Sequence, residues 1–237
     1  MKTLGLLLVL AGGLCLSAKA AVYSSGALTY DSATGAIPDG SSAGWTASHT
    51  FSGVTDLTIT DVSVKLNVSG GYNGDLYAYL SYNGVLIPLL NRVGVTSSDS
   101  FGYSDTGFNI TLSSSGAYDV HSYGAHSPSF NGSGQLTGTW QADGRAIDPL
   151  SSGASFDSAS RTGLSAYNGL NPNGTWTLFF ADMSTGGGQS QVVSWELDVT
   201  AVPEPINAAL ALIGIGFIAA RLGRHRVPSW FCFRNLR

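Results

Sequence analysis

Strict alternation of apolar and polar positions marks the middle and the end of this chain. Val62, Val64, Leu66 and Val68 alternate with Ser63, Lys65 and Asn67, the period-2 signature of a half-buried strand. Leu57 and Ile59 fall in the opposite phase, so the slip near Thr60-Asp61 predicts a β-bulge or a break between strands. Leu76, Ala78 and Leu80 alternate with Tyr77 and Tyr79, and Tyr82-Asn83-Gly84 supplies a hairpin turn into residues 85–90. Pro88 makes that partner an edge or a short strand, because proline cannot donate to a ladder. Phe108 to Leu112 is a further strand candidate. Trp176, Leu178 and Phe180 alternate with Thr177 and Phe179. After the turn at Gly186 to Gly188, Val193, Trp195, Leu197 and Val199 alternate with Ser194, Glu196 and Asp198. Both tryptophans then belong to a core face. No 3.6-residue period appears before residue 206. The Ser/Gly/Ala-rich stretch from residue 21 reads as a flexible leader to about residue 50, with at most one strand around 27–30, and 116–166 reads as loop-rich. The pattern predicts an all-β domain over 51–200, a jelly-roll-like β-sandwich.

The two ends follow other rules. Residues 1–20 begin with Lys2, run through an apolar stretch and finish Ala18-Lys19-Ala20, the layout of a secretory signal helix removed after Ala20 by signal peptidase. Residues 201–226 carry Val202-Pro203-Glu204-Pro205, an uncharged apolar run from Ile206 to Ala220, and then Arg221, Arg224 and Arg226. As a helix to Leu222 that run would be roughly 25 Å long, against a hydrocarbon core of about 30 Å that a snorkelling arginine helps to reach. It is expected to be a transmembrane helix with its basic end in the cytoplasm. Residues 227–237 continue past it with Trp230, Phe231, Cys232 and Phe233.

Setting the ends aside changes the charge. Between Ala21 and Pro205 only Lys65, Arg92, Arg145 and Arg161 are basic, while all 15 acidic residues of the chain lie there, a net charge of −11. So acidic a body repels phosphate backbones and argues against nucleic acid as a partner. Both cysteines, Cys15 and Cys232, fall outside it, so an exported domain would be built without a disulfide. Carboxylates at strand ends are then candidate Ca²⁺ ligands: Asp61 at the phase slip, Asp75 at a strand start and Asp182 at a strand end. The same positions also suit turn-capping aspartates that accept backbone N–H groups.

Two resemblances sharpen this. The run Asn171-Pro172-Asn173-Gly174-Thr175-Trp176-Thr177-Leu178, then Ala181-Asp182 and Ser194-Trp195-Glu196-Leu197, resembles the closing half of the P domain. That is the jelly-roll module carried behind the catalytic domain of kexin- and furin-like proprotein convertases. Ile59-Thr60-Asp61-Val62 and Gly74-Asp75-Leu76 match its opening half, so the resemblance covers about 56–200, with a longer middle at 113–161. The protease triad of those enzymes lies in a separate domain, so the resemblance implies no catalytic residue here. Some bacterial P-like domains bind calcium, which the resemblance extends to the aspartates above. The second resemblance is carried by Val202, Pro203, Glu204, Pro205, the apolar run and Arg221, Arg224 and Arg226. They resemble the PEP-CTERM sorting signal of exported proteins in Gram-negative bacteria that make exopolysaccharide. It implies recognition by an exosortase, a membrane-bound intermediate, and release to the cell surface or extracellular matrix, with extracellular polysaccharide as a candidate partner. Such tails usually end at the basic cluster, and this one does not.

Independent catalytic signals are weak. Gly40-Ser41-Ser42-Ala43-Gly44 fits G-x-S-x-G but lacks the preceding strand and following helix of a nucleophile elbow. His121 and His126 lie in a stretch that reads as an exposed surface loop, and Trp140 and Tyr123 in the same region are candidates for exposed, sugar-stacking aromatics. The reading is an exported, non-catalytic binding or structural module. The alternatives are an extracellular hydrolase with a site in 116–161, and an accessory domain that modulates a separate protease.

Overall fold

The computed structural model describes residues 19–204, 213–218 and 221. Within 20–202 the chain forms two β-sheets. The strands are β1 (Ala21–Ser24), β2 (Leu28–Thr29), β3 (Ser41–Phe51), β4 (Thr58–Ser69), β5 (Leu76–Tyr82), β6 (Val85–Asn91), β7 (Phe108–Ser113), β8 (Leu136–Trp140), β9 (Gly174–Asp182) and β10 (Gln191–Val202). The first sheet runs β1-β10-β4-β7-β8, with β2 beside β1 along the same edge of β10, and the second runs β3-β9-β5-β6. All pairings are antiparallel except β7 with β8. One helix, α1 (Gly153–Ser158), and three 3₁₀ segments lie in the connections. The all-β expectation holds, and the architecture is a β-sandwich.

Alternation is what closes it. Val62, Val64, Leu66 and Val68 of β4 and Trp195, Leu197 and Val199 of β10 turn one face into a core. Leu76, Ala78 and Leu80 of β5, with Trp176, Leu178 and Phe180 of β9, belong to the same core cluster. Trp176 is fully buried, stacked on Tyr82 at 3.9 Å and 3° and edge-on to Tyr167 at 5.0 Å. The phase slip is a bulge: Thr200 pairs with Asp61 but Ala201 pairs with Ile59. The hairpin turn takes Asn83 and Gly84 to φ of 48° and 77°, the left-handed pair that a two-residue turn demands. Strand β6, with Pro88, is an edge as expected. The last two strands fall in different sheets, so the Gly186–Gly188 connection crosses between layers instead of closing a hairpin.

One expectation fails here. Residues 21–50 are no flexible leader: β1 and β2 zip onto β10, and β3 is a full edge strand of the second sheet. Ala36 bridges Gln191, and Ile37 is wholly buried. The stretch 116–166 is loop-rich as expected, with β8, α1 and 3₁₀ turns at Val120–His126 and Leu164–Tyr167 set among its loops.

At the ends, residues 213–218 are helical. No helix among the described residues is long and apolar enough to cross a membrane, so the transmembrane expectation for 206–222 has no support from them. The signal helix at 1–20, and Pro205, Arg224 and Arg226 of the sorting signal, lie essentially outside the described residues. Val202 closes β10, and Pro203 and Glu204 follow it.

Candidate functional site

Of the three strand-end aspartates, the fold brings two together. Asp75 ends a 3₁₀ turn (Asn73–Asp75) immediately before β5, and Asp182 is the last residue of β9. The register pairs Leu76 with Asp182, and the Met183 N–H donates to the Asp75 carbonyl at 2.8 Å. The Gly186–Gly188 connection lies against the pair: a Cβ on Gly187 would lie 2.6 Å from the Tyr72 Cβ and 3.4 Å from Asp75 Oδ2. Gly187 has φ of +73°, so backbone conformation and space both select glycine.

Asp182 is fully buried. Its Oδ1 accepts the Ser184 N–H at 3.2 Å, while its Oδ2 has no hydrogen-bond partner. Burial pushes its carboxyl up to about 6, with the charges of Asp75 and Asp39 adding to the effect. Asp75 is raised too, chiefly by burial and then by Asp39, against the opposing pull of the Arg92 guanidinium. Two carboxylates converge here with one buried oxygen unsatisfied. Such a site either keeps a proton or recruits a cation.

The oxygen set suits a hard divalent ion such as Ca²⁺, with carbonyls and water completing the shell. Among the described residues no group of three His, Cys, Asp or Glu side chains is arranged to hold a metal. Asp61 does not join: it stands on β4 in the other sheet and takes the Ser114 hydroxyl at 2.8 Å.

The sign of the pH effect follows. A carboxyl whose pKa rises on folding favours the folded state while protonated, and that contribution is lost as pH rises through the folded value. In EDTA, the melting temperature of the protein is expected to fall from pH 4 to about pH 7 relative to that of Asp182→Asn, which lacks the titration. Parallel pH profiles of the two proteins in thermal melts would refute this.

The middle region holds a second cluster that sequence reasoning missed. His121 is not on the surface: it is buried, because the 3₁₀ turn opened by Asp119 packs against β6 and the 93–96 turn. Its Nδ1 lies 2.7 Å from Asp143 Oδ2 and its Nε2 lies 2.9 Å from the Val95 carbonyl. A carbonyl only accepts, so Nε2 carries a proton. Asp143 also accepts from Asn91 N–H and from the Arg145 backbone and guanidinium, which marks it as a carboxylate. Nδ1 and Asp143 Oδ2 share a proton, so both ring nitrogens of His121 are engaged in a buried polar network. Arg145 and Arg161 reach Asp119 at 3.5 and 3.3 Å, and Arg161 also donates to the carbonyls of Asp143 and Ala142. The sequence did hold one hint: two of the four basic residues between Ala21 and Pro205 lie in 145–161, close to Asp143. His126 is partly exposed and stacks on Tyr118 at 3.6 Å.

Trp140 and Tyr123 are buried rather than exposed, Trp140 donating to the Thr137 carbonyl and Tyr123 to Asp105 Oδ2. Gly40 to Gly44 leads into and forms the start of β3, with no strand–turn–helix around Ser42. A cleft of about 300 Å³ is lined by Ser113, Ser114, Gln141, Arg161 and Ser165 among others, and neither His121 nor Asp143 lines it.

No family model and no curated protein matches this chain. Among solved structures it is similar to the serine protease of Aeromonas sobria, at 15% identity and a TM-score of 0.44, over 77% of this chain and 27% of that one. It is likewise similar to the complex of that protease with its chaperone, at 15% identity and a TM-score of 0.45, over 78% and 28%. The chain spans less than a third of the length of the chains it matches.

Proposed function

We propose that this chain is an exported, non-catalytic binding or structural module of an extracellular matrix, a P-domain-like jelly roll delivered by a PEP-CTERM-type signal. The observation that carries the non-catalytic part is the bonding of His121. A hydrolase that used His121 as its base would need a ring nitrogen free to take a proton, and both nitrogens of His121 are held, one by Asp143 and one by the Val95 carbonyl. The jelly-roll assignment is supported by strands that alternate between layers, β3, β4 and β5 lying in the second, first and second sheets, and β9 and β10 in opposite ones.

Export, sorting by an exosortase and contact with extracellular polysaccharide rest on the basic–apolar N-terminus and on Val202 to Pro205 with the arginines beyond. Asp75 and Asp182 are proposed to hold Ca²⁺, which would neutralise the orphaned Asp182 Oδ2.

Intact mass of the protein recovered from the cell surface tests the sorting: termini at Ala21 and near Pro205 are expected, and an uncleaved C-terminus refutes it. Calcium at millimolar concentration is expected to raise the melting temperature and Asp182→Asn to abolish that rise; identical melts in Ca²⁺ and EDTA refute the metal.

A further inference from the structure

The outward face of the second sheet carries a feature with no part in the core. Side chains alternate across a sheet, so the residues between the buried ones of β5 and β9 point away from the sandwich. They are Tyr77 and Tyr79 on β5 and Thr175, Thr177 and Phe179 on β9, with Thr46, Ser48 and Thr50 beside them on β3. Tyr79 and Phe179 face each other across the ladder and stack at 4.8 Å with 17° between their planes. Tyr77 adjoins both, at 5.9 and 6.4 Å. All three rings are partly exposed.

The local backbone makes room for this platform. The β3–β9 ladder shifts register between Ser41 and Trp45, and Gly44 in that irregularity passes under the Phe179 ring. A Cβ at Gly44 would lie 2.5 Å from Phe179 Cζ. Next to the rings run two rows of paired hydroxyls: Ser48 with Thr177 at 3.0 Å, and Thr50 with Thr175 at 2.9 Å. Each pair shares one hydrogen bond, so each keeps a free donor and free lone pairs for a ligand.

Charge selects the occupant. Strands β3, β5, β6 and β9 contain no Lys, Arg or Glu, and their one aspartate, Asp182, is buried. The exported body around this face carries a net charge of −11. An anionic polymer is repelled by that body, and apart from the exposed Asp148 near Tyr77 the strands of this face offer a cationic one no counter-charge. What remains complementary to flat rings beside hydroxyl rows is a neutral, hydroxyl-rich chain: apolar C–H faces of its sugar rings cover the aromatics while its hydroxyls exchange hydrogen bonds with Ser48, Thr177, Thr46 and their neighbours. We infer that the Tyr77–Tyr79–Phe179 face is a binding platform for a neutral polysaccharide. The inference rests on the matrix reading above and names its partner and its surface.

Affinity electrophoresis of the full chain in gels containing hydroxyethyl cellulose, dextran or alginate tests it. Retardation by a neutral polymer is expected, with at least a tenfold loss of affinity in the Tyr79→Thr/Phe179→Thr double variant and little change in melting temperature, threonine being a good strand former. Tyr77→Thr, which removes the partly exposed ring adjoining the stacked pair, is expected to weaken retention as well and serves if the double variant fails to fold. Tyr118→Ala and Phe130→Ala, which remove exposed aromatics elsewhere, should leave retention unchanged. Full retention in both the double variant and Tyr77→Thr would overturn the platform and leave the matrix reading standing. So would a concentration-dependent dimer that Tyr79→Thr dissolves. Retention by alginate alone, or by none of the three, would overturn both.

Discussion

Asp143→Ala is expected to destabilise the folded protein by about 3–5 kcal/mol, the usual cost of removing one partner from a buried ion pair. Asp143 is completely buried and takes bonds from His121, Asn91 and Arg145. Without it, the His121 ring keeps only the Val95 carbonyl as a hydrogen-bond partner, and the Arg145 guanidinium only Asp119 and the Phe156 carbonyl. For a domain of this size the loss corresponds to a fall in melting temperature on the order of 10 °C. It is a large share of a typical total stability of about 5–15 kcal/mol. The charge argument has its own control. Replacing both partners, as in Asp143→Ala/His121→Ala, leaves neither group stranded by loss of the other, so the double variant should cost less than the two single losses, Asp143→Ala and His121→Ala, combined. Urea unfolding of the four proteins completes the cycle. Additive effects would mean that His121 and Asp143 do not act as an ion pair.

How legible each part was in the sequence depends on one-sided burial. β4, β5, β9 and β10 have one face in the core and the other turned outward, so hydrophobicity alternates and the strands can be read directly. β3 alternates too, Trp45, Ala47, His49 and Phe51 against Thr46, Ser48 and Thr50, but its inward residues include a small alanine and a histidine that carry little apolar signal. β1 and β2 are short pieces on an edge and owe their order to β10, at the far end of the chain. Val193, read as inward, gives way to Val192, because a bulge between Val192 and Ser194 resets the phase.

The sites follow the same logic. That Asp75 and Asp182 lie at strand ends was visible, whereas their meeting depends on the β5–β9 register, which no local pattern encodes. The 120–145 region is held by a parallel strand, 3₁₀ turns and ion pairs between distant residues, none of which produces periodicity. Composition suggested a loop, and long-range pairing built a packed layer.

Trp176→Ala is expected to cost about 3–5 kcal/mol, the range for deleting a large buried aromatic whose site cannot collapse. The site is framed on each side by groups that are themselves pinned. Tyr82 lies flat on the indole, and its hydroxyl donates to the carbonyls of Asn171 and Asn173. Tyr167 meets it edge-on and donates to the Leu80 carbonyl at 2.6 Å. The indole N–H itself reaches the Pro172 carbonyl at 3.3 Å. Neither tyrosine can swing into the space without giving up a backbone acceptor, so the cavity stays open and the loss is close to its full value. Trp45 makes the contrast. It is partly exposed and its indole N–H is held by the Thr34 carbonyl at 2.6 Å, so Trp45→Ala exposes one edge of the sandwich and leaves no sealed void. Chemical denaturation should therefore rank Trp176→Ala well below Trp45→Ala in stability. Equal losses, or a Trp176→Ala variant as stable as the parent, would mean that the indole is not closed into the core between the sheets and that the two-layer core has been wrongly drawn.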